Sequence, residues 1–266
     1  MRLAVSRACR FHRQLARGLV LDPSLGAYST PSQNTQNREW NMSRQTRASR
    51  SESEAAARQA VVAAARAVAS KGLSPGRTGN VSRRWRDGML ITPSGLAFGG
   101  IDQSDIVFVD VDGTPSGATR RPSSEWRFHL AAYAARPDRG AIVHTHSLHA
   151  TVLACARQPI PAFHYMVAAA GGADIPCIPY ATFGTPQLSA LVVAGLADRD
   201  ACLMANHGQI ALGADLATAL ELSETIEVLA EQYYKVLTLG VPHILEPAEM
   251  TCVIEKFKTY GQKAQG

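Results

Sequence analysis

The sequence contains no run of about 18 apolar residues, which argues against a membrane-spanning helix. Cysteine is sparse, with five residues at Cys9, Cys155, Cys177, Cys202 and Cys252, and no CxxC spacing occurs. An odd, scattered set speaks against a disulfide framework or a zinc knuckle and reads as the reduced, mostly buried thiols of a cytoplasmic enzyme. Lysine is confined to Lys71, Lys235, Lys256, Lys258 and Lys263, all on or near expected helices. Internal repeats are lacking, and no linker interrupts 52–260. Net positive charge is missing from most of the chain as well. Nine arginines against Asp22 and Glu39 give residues 1–50 a charge of +7, so of the total of +5 the remainder carries −2. A near-neutral remainder offers nucleic acid no electrostatic footprint.

What is present suffices for one sizeable core: 266 residues with 46% hydrophobic content. The first 50 residues are rich in Arg, Ser, Thr, Gln and Asn and poor in acids. That composition fits a disordered tail, a transit-peptide-like leader, or a translation start placed upstream of a natural one at Met42. The expected organisation is a basic, non-folded extension over 1–51 and one folded domain over 52–266.

Periodicity places a helix over 52–71, closed by Gly72. Gly79-Asn80-Val81-Ser82 turns into a short strand, and Arg86-Asp87-Gly88 closes a hairpin onto a strand over 89–92. Pro93-Ser94-Gly95 is a loop, 106–109 a buried strand, and Asp112-Gly113 a second hairpin turn. A central helix is entered through Ser123-Ser124 and left at Arg136-Pro137. A strand then ends in His144-Thr145-His146. Residues 147–156 form a short helix. The glycine-rich stretch 162–185 is mostly irregular, with a short strand near 175–178, and long ordered loops of this kind carry function. A helix over 186–196, strands over 201–205 and 209–212, a helix over 216–239 and a last helix over about 247–260 complete the chain. The pattern is a single α/β domain whose central, mainly antiparallel sheet is flanked by helices.

The chemistry concentrates in 122–146. Side chains at i and i+2 of a strand share a side, so His144 and His146 can face one point while Thr145 faces away. The helix before them opens with the carboxylate of Glu125. His207, in Asn206-His207-Gly208, sits at the mouth of another strand, beside a glycine that permits close approach. Imidazoles with a carboxylate are natural ligands for a divalent transition metal such as zinc. Ser123 and Ser124 lie at a helix start, where free N–H groups and the dipole favour an anion. A serine there is also an ordinary N-cap, and one helix start can serve both purposes. Asn80 and Ser94-Gly95 supply further donors on loops.

Taken together, HYMVAAAGGADIPCIPYATFGT, SSEWRFH, HTH and NHG resemble the class II aldolase/adducin family, over roughly 55–261. The resemblance implies a three-layer fold and a zinc-dependent aldehyde-lyase that splits L-fuculose 1-phosphate, or a close ketose 1-phosphate, into dihydroxyacetone phosphate and L-lactaldehyde. It implies His144, His146, His207 and Glu125 as metal ligands, with Glu125 also the acid/base. It assigns Asn80, Ser94, Gly95, Ser123 and Ser124 to phosphate. Tyr165 would reach a neighbouring subunit's site to handle the C4 hydroxyl proton, while Phe183 and Tyr260 would line the aldehyde pocket. A homotetramer with sites at subunit interfaces is implied, with no nucleic-acid or membrane partner. A Schiff-base lysine is not needed in such a mechanism. His129 and His149 read as packing or supporting groups, and His12 and His243 have no assigned role. Pentulose-phosphate 4-epimerases and a thio-sugar phosphate dehydratase share the HxH…H arrangement. Non-catalytic adducin-like members lose the metal ligands that are all present here.

Overall fold

A computed structural model of the chain describes residues 52–257. The expected basic extension and Tyr260 lie outside the described residues. The first helix, α1 (Glu54–Ser70), starts where Ser53 Oγ accepts from the Ala56 amide at 3.2 Å. Its buried stripe, Ala57, Val61, Ala65 and Val68, recurs at three- and four-residue steps. Strands β1 (Asn80–Trp85), β2 (Gly88–Ile91), β3 (Val107–Asp110) and β4 (Pro115–Ser116) follow. Trp85 pairs with Gly88, so Arg86 and Asp87 form the two-residue turn between β1 and β2. Then come α2 (Trp126–Ala135), β5 (Ala141–Thr145), α3 (Leu148–Cys155), a 3₁₀ segment (Tyr165–Ala170) and β6 (Cys177–Ile178). The chain finishes with α4 (Pro186–Gly195), β7 (Ala201–Met204), β8 (Gly208–Gly213), α5 (Leu216–Leu239) and α6 (Pro247–Phe257).

The eight strands form one sheet in the order β4-β3-β2-β1-β5-β8-β7-β6. Every pairing is antiparallel except β6 with β7. Alternation along the strands divides the core. Met89, Ile91, Ile142, Ile210 and Leu212 pack with Phe128, Ala132, Leu188 and Val192 of α2 and α4. Val81, Leu90, Ala141 and Val143 face the other way, onto α1. Ala201, Leu203 and Ala211 meet α3 and α5 on that second face. The result is the expected α/β fold in three layers. None of the helices among the described residues is long and apolar enough to cross a membrane.

One element starts later than its sequence suggests. The central helix begins at Trp126 rather than at Ser123-Ser124. Pro122 bridges Pro93, the Ser123 amide donates to Thr92 O at 3.1 Å, and the Ser94 amide donates to Arg121 O at 3.0 Å. These bonds keep 121–123 extended beside the 92–94 loop. Glu125 therefore takes the N-cap place, with no capping bond from its side chain.

Candidate metal centre

Sheet register brings the separated motifs to one edge of the molecule. Asn80 opens β1 opposite His144 on β5, and Thr145 pairs with Gln209 on β8. His207 lies in the turn between β7 and β8, and Glu125 lies at the start of α2. Two glycines permit the closeness. A Cβ on Gly79 would stand 2.6 Å from His144 O, and one on Gly208 would stand 2.4 Å from Thr145 O.

Four side chains converge there. His144 is fully buried, and its Nδ1–H donates to Gln209 O at 2.7 Å. That bond fixes the tautomer, so Nε2 presents a bare lone pair. His144 Nε2 lies 3.1 Å from His146 Nε2 and 3.2 Å from Glu125 Oε2. Glu125 Oε1 receives no hydrogen bond of proper geometry, although it is buried and 3.1 Å from His207 Nε2. The potential ligand atoms of all four residues lie within 4.8 Å of one another. The three imidazoles meet edge-on, with ring centres 4.8–4.9 Å apart.

These residues fit a divalent transition metal. Ligands about 2.0–2.1 Å from a tetrahedral ion stand about 3.3–3.4 Å from one another, close to the spacings found. Lone pairs and an ionised carboxylate gathered this tightly repel unless a cation sits among them. Burial disfavours the charge on Glu125, but the neighbouring His144 and His207 rings outweigh it and hold the group well below the usual carboxylate range. Burial first, then the neighbouring His144 and His207, pushes His146 down to about 3. It is therefore neutral and ready to ligate.

A cavity of about 360 Å³ opens beside the four ligands, which reach it through Glu125, His146 and His207. Asn80, Ser94, Gly95, Ser123 and Ser124 all line it, as does Phe183. Ser123 is no simple cap. Its Oγ accepts from Asn80 Nδ2 at 2.9 Å and from the Glu125 amide at 3.3 Å. Asn80 Nδ2 also donates to Glu125 Oε2 at 2.9 Å, linking the polar wall to the carboxylate. Tyr165 is 51% exposed on the 3₁₀ segment and is not among the residues lining the cavity.

Among the lining residues given no site role from the sequence, Arg77, Thr78 and Tyr180 carry polar side chains. Arg77 is a cation between Gly76 and Gly79, both at positive φ, and a cation on a glycine-flanked loop was the available signal. Tyr180 lies in the irregular stretch 162–185, whose length was the available signal.

A comparison with known families decides the lineage. The model of the class II aldolase and adducin N-terminal domain matches residues 59–234. The chain belongs to that family. Class II aldolases are metal-dependent lyases of sugar phosphates, and this chain carries a His/Glu group able to hold a metal. A 5-methylthioribulose-1-phosphate/5-deoxyribulose-1-phosphate aldolase of Rhodospirillum rubrum is 53% identical over 210 residues, covering 79% of this chain and 95% of that protein. An L-fuculose phosphate aldolase of Escherichia coli is 50% identical over 195 residues, covering 73% and 90% respectively. A solved L-fuculose 1-phosphate aldolase superposes with a TM-score of 0.74 at 40% identity, over 76% of this chain and 96% of that one. The aldolase fold and the polar cavity thus come together in one chain, which spans 90–96% of the length of these relatives.

Proposed function

We propose that residues 52–266 form a catalytic domain that cleaves a ketose 1-phosphate by a zinc-dependent retro-aldol reaction, releasing dihydroxyacetone phosphate and a short aldehyde. The observation that carries this reading is the convergence of Glu125, His144, His146 and His207 beside a cavity walled by anion-binding groups. A zinc ion held by these four residues would supply the Lewis acidity that an enediolate leaving group needs.

The remaining chemistry belongs to the chain. Asn80, Ser94, Gly95, Ser123 and Ser124 form the phosphate wall, with the serine hydroxyls donating and Asn80 bracing Ser123 Oγ, beside the start of α2. Arg77 adds charge at the rim. Breaking C3–C4 takes the proton from the C4 hydroxyl, turns C4 into an aldehyde carbonyl and leaves the electron pair at C3. Tyr165 of the partner subunit relays the hydroxyl proton to solvent in a homotetramer with sites between subunits. Glu125, facing the cavity, takes up a proton from solvent and gives it to C3, completing dihydroxyacetone phosphate. Phe183 lines the aldehyde side.

L-Fuculose 1-phosphate, giving L-lactaldehyde, is one substrate that suits this site. A second reading, a 5-deoxy- or 5-methylthio-pentulose 1-phosphate, is favoured by the relative at 53% identity and by the exposed rings of Tyr180 and Phe183 at the rim. Both leave the same three-carbon phosphate, so the aldehyde alone distinguishes them. Metal-replete protein assayed on a panel of ketose 1-phosphates should release dihydroxyacetone phosphate. A pentulose phosphate epimerised or dehydrated without that product would put the chain among the epimerases or dehydratases of the same scaffold.

A further inference from the structure

A row of buried polar groups runs from the sheet interior to Glu125, and its inner members, Tyr133, Ser82 and His129, have no part in the chemistry above. Tyr133 OH lies 2.8 Å from Ser82 Oγ, which lies 2.7 Å from His129 Nδ1. The other nitrogen, His129 Nε2, meets Asn80 Oδ1, and Asn80 Nδ2 reaches Glu125 Oε2. His129 and Ser82 are fully buried, and Asn80 and Tyr133 nearly so. Polar groups this deep must pair with one another, because water cannot replace a lost partner.

Pairing rules then fix the direction of every bond. Ionised Glu125 only accepts, so the NH₂ of Asn80 must face it. Asn80 Oδ1 consequently faces His129 and requires a donor, which places the ring proton on Nε2. Nδ1 then accepts from the Ser82 hydroxyl, and the Ser82 oxygen accepts from Tyr133. The ring has one proton to give, since burial first, then His144, pushes His129 down to about 3 and keeps it neutral. Its plane is held by stacking on Phe128, with ring centres 4.8 Å apart at 18°.

We infer that His129 is a positioning residue whose Nε2–H locks the amide of Asn80 with its NH₂ toward Glu125, and so aims the carboxylate at the metal and at the cavity. Without that donor the Asn80 amide can turn over and set its oxygen against Glu125, where two acceptors repel. The same turn removes the donor to Ser123 Oγ on the cavity wall. Ser82 and Tyr133 support the ring from behind. The role of the lock in catalysis rests on the aldolase reading, but its geometry does not.

The test uses the full chain, metal-free and then titrated with zinc against a competing chelator. Nitrogen NMR of the metal-free protein at neutral pH should show His129 protonated at Nε2 and bare at Nδ1. The opposite tautomer, or a doubly protonated ring, overturns the inference. His129→Leu removes the donor and should weaken zinc binding by roughly 10- to 100-fold, the range for a group that orients a ligand. His129→Gln keeps an N–H near the same place and should recover most of that loss. Equal weakening in both variants, at equal melting temperature, would make the ring a packing group and refute the lock. Should His129→Leu fail to fold, Tyr133→Phe, which deletes one hydroxyl at the far end, should give a smaller loss of zinc affinity with no change in fold. An unchanged affinity there ends the proposal. A correct tautomer in a protein that binds zinc but cleaves no ketose phosphate would sink the aldolase reading and leave the lock in place.

Discussion

Replacing Glu125 by glutamine separates the two roles given to this residue. The side chain is 6% exposed and held by Asn80 at 2.9 Å, with His144 at 3.2 Å and His207 at 3.1 Å. Glutamine has nearly the same shape. Its carbonyl can still accept from Asn80, and its NH₂ can face the lone pair of His207. Glu125→Gln should therefore fold normally and melt no lower than the parent when metal-free. What it loses is the negative charge beside the ion and the ability to carry a proton. Zinc binds more weakly, which excess zinc makes good. The proton transfer is not recoverable, and its loss should lower kcat by about 10²- to 10⁴-fold at saturating zinc. That corresponds to about 2.7–5.5 kcal/mol of barrier. The assay couples released dihydroxyacetone phosphate to NADH oxidation by a glycerol-phosphate dehydrogenase, with zinc content measured on the same sample. A kcat within about threefold of the parent at one zinc per chain would remove Glu125 from the acid/base role.

Other perturbations probe the surroundings. His146→Ala should lower zinc content and cost orders of magnitude in rate, and metal analysis after dialysis checks it; full zinc retention would exclude His146 as a ligand. Gly79→Ala forces a side chain onto the His144 carbonyl at a φ of +77°, whereas Gly99 faces open space. The first substitution should cost roughly 1–3 kcal/mol and the second far less, as read by urea unfolding, and equal costs would refute the packing argument. Arg77→Ala should raise KM for the phosphorylated substrate by about tenfold while changing kcat little, and an unchanged KM would take Arg77 out of the phosphate site. His129 and His146, both pushed down to about 3 from an ordinary 6.5, stay neutral in the folded protein while the unfolded chain takes up protons. Their contribution to stability is full above pH 6.5 and is lost as pH falls from there toward about 3. Urea midpoints of the metal-free protein should fall between about pH 7.5 and 5.5, and a flat profile would contradict the neutral assignment.

Much of this site is written in local sequence because its geometry is local. The period of a strand puts His144 and His146 on one side, and the glycine after His207 marks a close approach. The apolar runs that end in these histidines mark where buried strands emerge. Other parts depend on distant pairing. The bonds between 121–123 and 92–94 delay the start of α2, and no residue in 122–126 announces them. Arg77 and Tyr180 reach the cavity only because β1 and β6 bring their loops to the same edge. The role of His129 was hidden for a different reason. A buried helical histidine reads as packing until its partners, Ser82 and Asn80, are placed around it.

The central claim is that one divalent ion held by Glu125, His144, His146 and His207 enables carbon–carbon bond cleavage. The most direct measurement is the release of dihydroxyacetone phosphate from a ketose 1-phosphate before metal removal, after it, and after zinc is returned. The account predicts loss of activity with the metal and its recovery at one zinc per chain. Undiminished cleavage by protein shown to be free of metal would contradict it.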